Sequence, residues 1–441
     1  MSSHASSSTL RGVADSHRTI AQLILTLCCL AWSSAQATYS IIACDAVTKA
    51  CGVAVQTNNL AVGASVPYAQ AGVGAVASQF ETNPAYGPRA LALMKDGDTP
   101  AQALQRILAE DGHFEDQGPE ARQVALVRVD GATAVHTGVE VQQANWAGSR
   151  NGRGYSIQGN GLVGPLVIER MEQAYLHATG PLAIRLMAAL SAGDAAGGQS
   201  SGRESAALLV RTPQGWPVDI DLRVDHSSDP VGELRHLLTL ELARRQTVTA
   251  QHEAEAGHFA QARALLIDAA AKAPDWPRLQ LRAADLAMRI DAPELAMPWL
   301  AAAFERQPGW THITLGDGRY AELGYLPDFH RWIDTAQEHD ALQAGRALTT
   351  HASVTERLSV ARRLLECGHP AEAQAALAPI DARIQSADID ETRADIALAQ
   401  AAPPLARSNM MRAIQAAPND ARLRHKAMRI TKMTVVDHPV S

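Results

Sequence analysis

The sequence predicts two domains of different class, an α+β domain built on two antiparallel sheets with helices outside and then an all-α region. Three observations predict this. Over residues 38–224, short apolar runs are broken by Gly, Pro and Asn, with two helical pairs between them. From about residue 247 no strand pattern survives, and alanine-rich helical periodicity replaces it. Before residue 38 lies a leader, with Arg11 and Arg18, an apolar run over 20–32, and small residues at Ala35 and Ala37.

The leader (1–37) reads as a signal peptide cut after Ala37, which places the mature chain in the periplasm or outside the cell. Its apolar run is short for a bilayer span, and no later segment approaches spanning length. An uncleaved anchor or a buried helix is the alternative. A lipoprotein cut before Cys28 or Cys29 is disfavoured by the bulky Leu27.

In the first domain (38–246), residues 39–44 and 52–56 read as a hairpin, and 73–78 as a further strand. Pro88 opens a helix running to about residue 96. Thr99 and Gln102 form a capping-box start for a second helix, ending near 109. A second hairpin spans 124–129 and 132–137 around the Asp130-Gly131 turn. Residues 155–158 form a strand that Gly159-Asn160-Gly161 breaks. Helices over 165–178 and 181–192 follow, then a Gly/Ser-rich loop (193–204) and strands at 206–211 and 218–224. An amphipathic helix over 230–245 closes the domain.

In the second region (247–441), Ala262, Leu266, Ala269 and Pro274 recur 34 residues later as Ala296, Leu300, Ala303 and Pro308. Ala373 with Leu377, and Ala406, Met410, Ala413 and Pro418, fit the same frame. Thirty-four residues is the tetratricopeptide period, and small residues at these positions let paired helices pack closely. Residues 310–325 are Gly-rich and interrupt the array. Such repeats suit a protein-binding surface, or serve stability and oligomerisation.

Hydrophobic residues make up 46% of the 441 and charged residues 19%, as in an ordinary globular chain. The net charge of −7, with no basic block, does not suggest a nucleic-acid or anionic-membrane surface. Three cysteines remain after the leader. Cys44 and Cys51 flank a turn, either as a disulfide or as two small buried residues, while Cys367 has no evident partner. Asp225 and His226 lack a third ligand, so neither a metal nor a cofactor is expected.

The chemistry centres on Thr38. A threonine at a chain terminus holds a hydroxyl nucleophile beside its own α-amine, whose ordinary pKa of about 7.7 to 8.0 suits a base near neutral pH. Asn160 offers an amide donor to a developing oxyanion, or only a turn conformation. Ser78, Gln79 and Asn83 are placed to hold a substrate amide, or merely start a turn. Arg203 could meet a substrate carboxylate. Asp219, Asp221, Arg223 and Asp225 share one strand face, as a solvated row or as support for the catalytic amine through Asp221 or Arg223. His136 reads as structural.

Thr38-Tyr39-Ser40-Ile41-Ile42-Ala43 followed by Gly52-Val53-Ala54-Val55 resembles the start of a bacterial Ntn-hydrolase-like family of unknown function, number 1028 in the domain-of-unknown-function series. Ala71-Gly72-Val73-Gly74, Thr82-Asn83-Pro84, Gly154-Tyr155-Ser156-Ile157-Gln158-Gly159-Asn160, Ser205-Ala206-Ala207-Leu208-Leu209-Val210 and Asp221-Leu222-Arg223-Val224-Asp225 extend the likeness to about residue 240. The resemblance implies the four-layer αββα fold of Ntn hydrolases and no particular substrate. Cytoplasmic relatives begin Met-Thr, so the leader here stands where that Met would be.

The reading that follows is an exported N-terminal-threonine amidohydrolase acting on small amides or peptides through an acyl-enzyme. Its competitor is a non-catalytic envelope adaptor whose helical repeats bind a protein partner. Oligomerisation is compatible with either.

Overall fold

The computed structural model describes residues 37–309, 314–324, 326–381 and 383–436. The expected leader therefore lies outside the described residues, apart from Ala37. The chain divides into two compact units at Leu238/Thr239. That point falls inside one continuous helix, Pro230–Glu255, which runs ten residues past its expected end at 245. The division thus precedes the 246/247 boundary expected from the sequence.

The first unit is mixed α+β. Its strands are β1 (Thr38–Cys44), β2 (Cys51–Thr57), β3 (Pro67–Gln70), β4 (Gly74–Phe80), β5 (Arg122–Arg128), β6 (Thr133–Thr137), β7 (Trp146–Gly152), β8 (Tyr155–Leu162), β9 (Ser205–Arg211) and β10 (Ile220–Val224). They form a six-stranded sheet in the order β10-β9-β2-β1-β8-β7 and a four-stranded sheet in the order β3-β4-β5-β6. Strand β1 lies inside the larger sheet, antiparallel to both β2 and β8.

Because β1 is buried along its whole length, its sequence reads as a continuous run rather than an alternation. Alternation is still present in what each side chain meets. Ile42 packs with Ala75, Ala77, Ala125 and Val127 of the smaller sheet, while Ser40 hydrogen-bonds Gln79 across the same interface. Tyr39 points the other way: a Cβ on Gly193 would sit 3.0 Å from its ring. Gly193 belongs to the helix Leu182–Ala195 (α4), which packs with Leu166–His177 (α3) on the larger sheet. On the smaller sheet, Val76, Val124 and Leu126 bury against Tyr86–Lys95 (α1) and Pro100–Ala109 (α2). Full burial of one such Val or Leu contributes about 1.5–3 kcal/mol. Helix α2 starts in the expected capping box, with Thr99 and Gln102 bonding each other's backbone N–H.

Strands β3 and β7 escape the sequence pattern. Both are edge strands and neither is fully buried, so they need no apolar run. The Gly159-Asn160-Gly161 segment does not end its strand but lies inside β8, where Gly159 and Asn160 pair with Tyr39 and Thr38 of β1. The glycines are needed for space and conformation: a Cβ on Gly159 would lie 2.5 Å from the Leu162 side chain, and Gly161 has φ +59°.

The second unit is helical throughout its described elements. Ala262, Leu266 and Ala269 on Phe259–Lys272 are fully buried, as are Ala296, Leu300 and Ala303 on Pro293–Arg306 and Ala406, Met410 and Ala413 on Pro403–Ala416. The 34-residue spacing thus turns matching faces inward. Within residues 310–325, positions 310–313 and 325 lie outside the description, and the rest is turns with one short helical turn, Ala321–Leu323. This unit also buries charge. Lys426 Nζ meets Asp395 at 2.8 Å, Glu391 at 3.0 Å and Glu322 at 3.3 Å.

Candidate functional site

Thr38 opens β1 and is almost wholly enclosed, at 4% exposure. The sheet register fixes its neighbours, Thr57 at the end of β2 and Asn160 in β8. Its backbone N–H donates to Asn160 Oδ1 at 3.0 Å. Its hydroxyl Oγ1 lies 3.1 Å from Thr57 Oγ1, and Thr57 Oγ1 donates to the carbonyl oxygen of Ala37 at 2.7 Å. The nitrogen and the hydroxyl of this one threonine therefore each have a buried polar partner.

A network between the sheets holds those partners in place. Asn160 Nδ2 donates to Gln123 Oε1 at 2.9 Å, and Gln79 Nε2 donates to the same oxygen at 2.8 Å. Gln79 Nε2 also donates to the Thr38 carbonyl at 3.1 Å, and Ser40 Oγ donates to Gln79 Oε1 at 2.7 Å. Gln123 Nε2 is spent on the Gly159 carbonyl at 3.1 Å and Thr137 Oγ1 at 3.3 Å. With its nitrogen so engaged, Gln123 presents an oxygen to Asn160, and Asn160 presents its own oxygen to Thr38 N. The orientation of the Asn160 amide is thus set from the smaller sheet.

That geometry changes the role expected of Asn160. Its amide nitrogen is committed to Gln123, so it is not a free donor for an oxyanion; its oxygen is an acceptor for the Thr38 nitrogen. Gln79 is at the site, but as a brace on Thr38 and Ser40 rather than a surface for substrate. Ser78 is buried, and its hydroxyl has no hydrogen-bond partner among the described residues.

The other expected residues lie elsewhere. Asn83 donates to the Asp111 carbonyl and carboxylate and accepts from Ala85 N, so it anchors the start of α1. Asp111 is held there by Arg122, itself 1% exposed, with N–O contacts of 3.1 and 3.3 Å. Arg203 pairs with Asp194 at 3.1 Å and with Asp229 at 4.0 Å. Asp221 pairs with Arg211, and Arg223 with Asp225, on the edge strand β10. Strands β9 and β2 separate β10 from β1, three inter-strand steps or roughly 14 Å. Asp221 and Arg223 therefore do not support the Thr38 amine. His136 Nε2 meets the Pro119 carbonyl at 2.7 Å, a structural contact, and His226 pairs with Glu204. Cys44 and Cys51 are register partners joined by a disulfide, and Cys367 is a free buried thiol. Among the described residues, no cluster of three or more His, Cys, Asp or Glu is arranged to hold a metal.

Two residues of the site are absent from the sequence reading, Thr57 and Gln123. Thr57 had a usable signal, because counting back along the hairpin from Cys44 and Cys51 sets it opposite Thr38. Gln123 had none, since it reaches Asn160 from the other sheet.

Residues 38–234 match the model of a family described as a family of unknown function, DUF1028. The match begins at Thr38. The crystal structure of a protein from Silicibacter pomeroyi, itself assigned to DUF1028, is 30% identical to this chain, covers 46% of it and is itself covered over 88%, with a TM-score of 0.41. No curated protein matches the chain.

Proposed function

The chain belongs, through residues 38–234, to the DUF1028 family, and on that premise we propose that it is an exported amidohydrolase whose nucleophile is a terminal Thr38. One observation carries the reading: the nitrogen and the hydroxyl of Thr38 are each held by a buried polar partner, Asn160 at 3.0 Å and Thr57 at 3.1 Å. In the intact chain that nitrogen is a peptide N–H and cannot act as a base. Removal of the leader after Ala37 by signal peptidase turns it into an amine already seated on an acceptor. The amine then takes the Thr38 hydroxyl proton, directly or through a water, as Oγ1 attacks an amide carbonyl. The leaving amine departs with the proton, and water hydrolyses the ester.

The paired sheets with helices on each correspond, in this reading, to the αββα layering of Ntn hydrolases. Substrates are small amides or short peptides, cell-wall fragments included, met in the periplasm or outside the cell. No cofactor enters the scheme. In the second unit, a cavity of about 840 Å³ lined by Arg319, Arg362, Asp388, Glu391 and Arg422 favours a second reading. There the tetratricopeptide-like helices recruit an envelope protein and the first unit is inert.

The test is the N-terminus and its reactivity. Exported protein is expected to begin at Thr38 and to be acylated there by p-nitrophenyl acetate, as read by intact mass. Thr38→Ala should abolish the label. Full labelling of that variant, or a different first residue, sinks the hydrolase reading and leaves the adaptor.

A further inference from the structure

Three contacts converge on the Thr57 hydroxyl, and together they fix where its proton goes. The Ala37 carbonyl, 2.7 Å away, can only accept, so Thr57 donates to it. The Asn59 N–H donates into Thr57 Oγ1 at 3.3 Å. A hydroxyl has one proton, so the 3.1 Å contact with Thr38 must run from Thr38 Oγ1–H into Thr57 Oγ1. The direction is therefore Thr38 hydroxyl to Thr57 hydroxyl to carbonyl oxygen. Thr57 is fully enclosed at 1% exposure, where such a donor is not diluted by water.

The Ala37 carbonyl is the acyl group that Thr38 holds in the intact chain. Nitrogen and Oγ1 of one threonine are separated by only two carbons, so an acyl group on either occupies the same small space. The oxygen bonded by Thr57 thus stands for the carbonyl oxygen of an acyl group delivered to Oγ1. We infer that Thr57 is a catalytic residue: its hydroxyl is a side-chain donor to the oxyanion formed when Thr38 attacks. The inference rests on the terminal-threonine reading, and it supplies the donor that Asn160 does not.

The step balances without further reagents. Thr38 Oγ1 bonds to the acyl carbon and its proton moves to the α-amine. The carbonyl π pair moves onto oxygen, where the Thr57 O–H meets it. Collapse re-forms the carbonyl, breaks the bond to the leaving nitrogen, and sends the proton from the ammonium onto that nitrogen. Thr57 keeps its proton throughout.

Thr57→Val keeps shape and removes the hydroxyl, Thr57→Ala removes it with loss of volume, and Thr57→Ser retains it. On processed protein, the rate of Thr38 acylation by p-nitrophenyl acetate should fall about 10²–10³-fold in Thr57→Val and Thr57→Ala, the usual cost of one oxyanion donor, with recovery in Thr57→Ser. The pH midpoint of the rate, which reports the amine, should not move. Should Thr57→Val fail to fold, Thr57→Ala decides. Wild-type rates in either hydroxyl-free variant, or an equally slow Thr57→Ser, overturn the assignment while leaving Thr38 as nucleophile. Full labelling of Thr38→Ala is a different failure, that of the hydrolase reading itself.

Discussion

If Thr38 is the first residue, as proposed, replacing Asn160 with Asp tests whether its amine sits on the acceptor that now holds the Thr38 peptide nitrogen. The substitution sets a carboxylate oxygen where Oδ1 stands, 3.0 Å from the nitrogen. At an effective dielectric of about 20, a charge pair at that distance is worth about 5 kcal/mol, or roughly four pH units at 1.36 kcal/mol each. Desolvation at this fully buried position raises the carboxyl's own pKa and so lowers the fraction ionised at neutral pH, which makes the realised rise in the amine pKa smaller than that figure. An opposite charge favours the ammonium, so the free base becomes scarcer at neutral pH. The second carboxylate oxygen meets Gln123 Oε1, an acceptor against an acceptor, which should cost about 1–3 kcal/mol of stability. The assay is the acylation rate against pH on protein whose first residue is verified as Thr38. Asn160→Asp should move the midpoint upward, whereas Asn160→Ala should lower the plateau without that shift. A folded Asn160→Asp with the wild-type midpoint would refute the placement of the amine on Asn160.

Two further substitutions probe the charges that hold each unit together. Arg122→Met strands the buried Asp111 carboxylate, and urea unfolding at pH 7 should show a loss of about 3–5 kcal/mol; an unchanged midpoint would count against the ion pair. Burial alone would raise the Asp111 pKa, but bonds from Arg122, Tyr86 and Asn83 outweigh it and hold it below the ordinary value. That stabilisation is present above a pH of about 4 and is lost as pH falls through the folded value, so the gap between wild type and Arg122→Met should close in acid. Lys426→Met leaves Glu322, Glu391 and Asp395 without their shared cation, and should lower the melting temperature of the helical unit by about 10 °C. An unmoved melt would mean that the cluster contributes nothing net.

The readable parts of the fold are those whose cause is local. The 44/51 turn, the Thr99–Gln102 cap and the helix starts at prolines depend on a few adjacent residues, and each lies in the structure near where the sequence puts it. The misread elements have non-local causes. Edge strands β3 and β7 need no apolar stripe. Gly159-Asn160-Gly161 looks like a strand stop until one knows that Tyr39 and Leu162 fill the space beside Gly159. The Asp221–Asp225 row showed which side chains share a face but not how far that strand lies from β1.

By itself, the sequence determined the start of the domain at Thr38, the succession of hairpins and helix pairs, and the 34-residue alternation that buries Ala262, Ala296 and their counterparts. Each is written in the spacing of neighbouring residues, because backbone geometry repeats every few positions. Only the tertiary structure decided what touches Thr38. Its partners come from β2, β4 and β8, with Gln123 of β5 behind them, separated from it by up to 122 residues. They meet because strand register and the stacking of two sheets are cooperative properties of the whole domain. No stretch of sequence short enough to have its own periodicity contains that information.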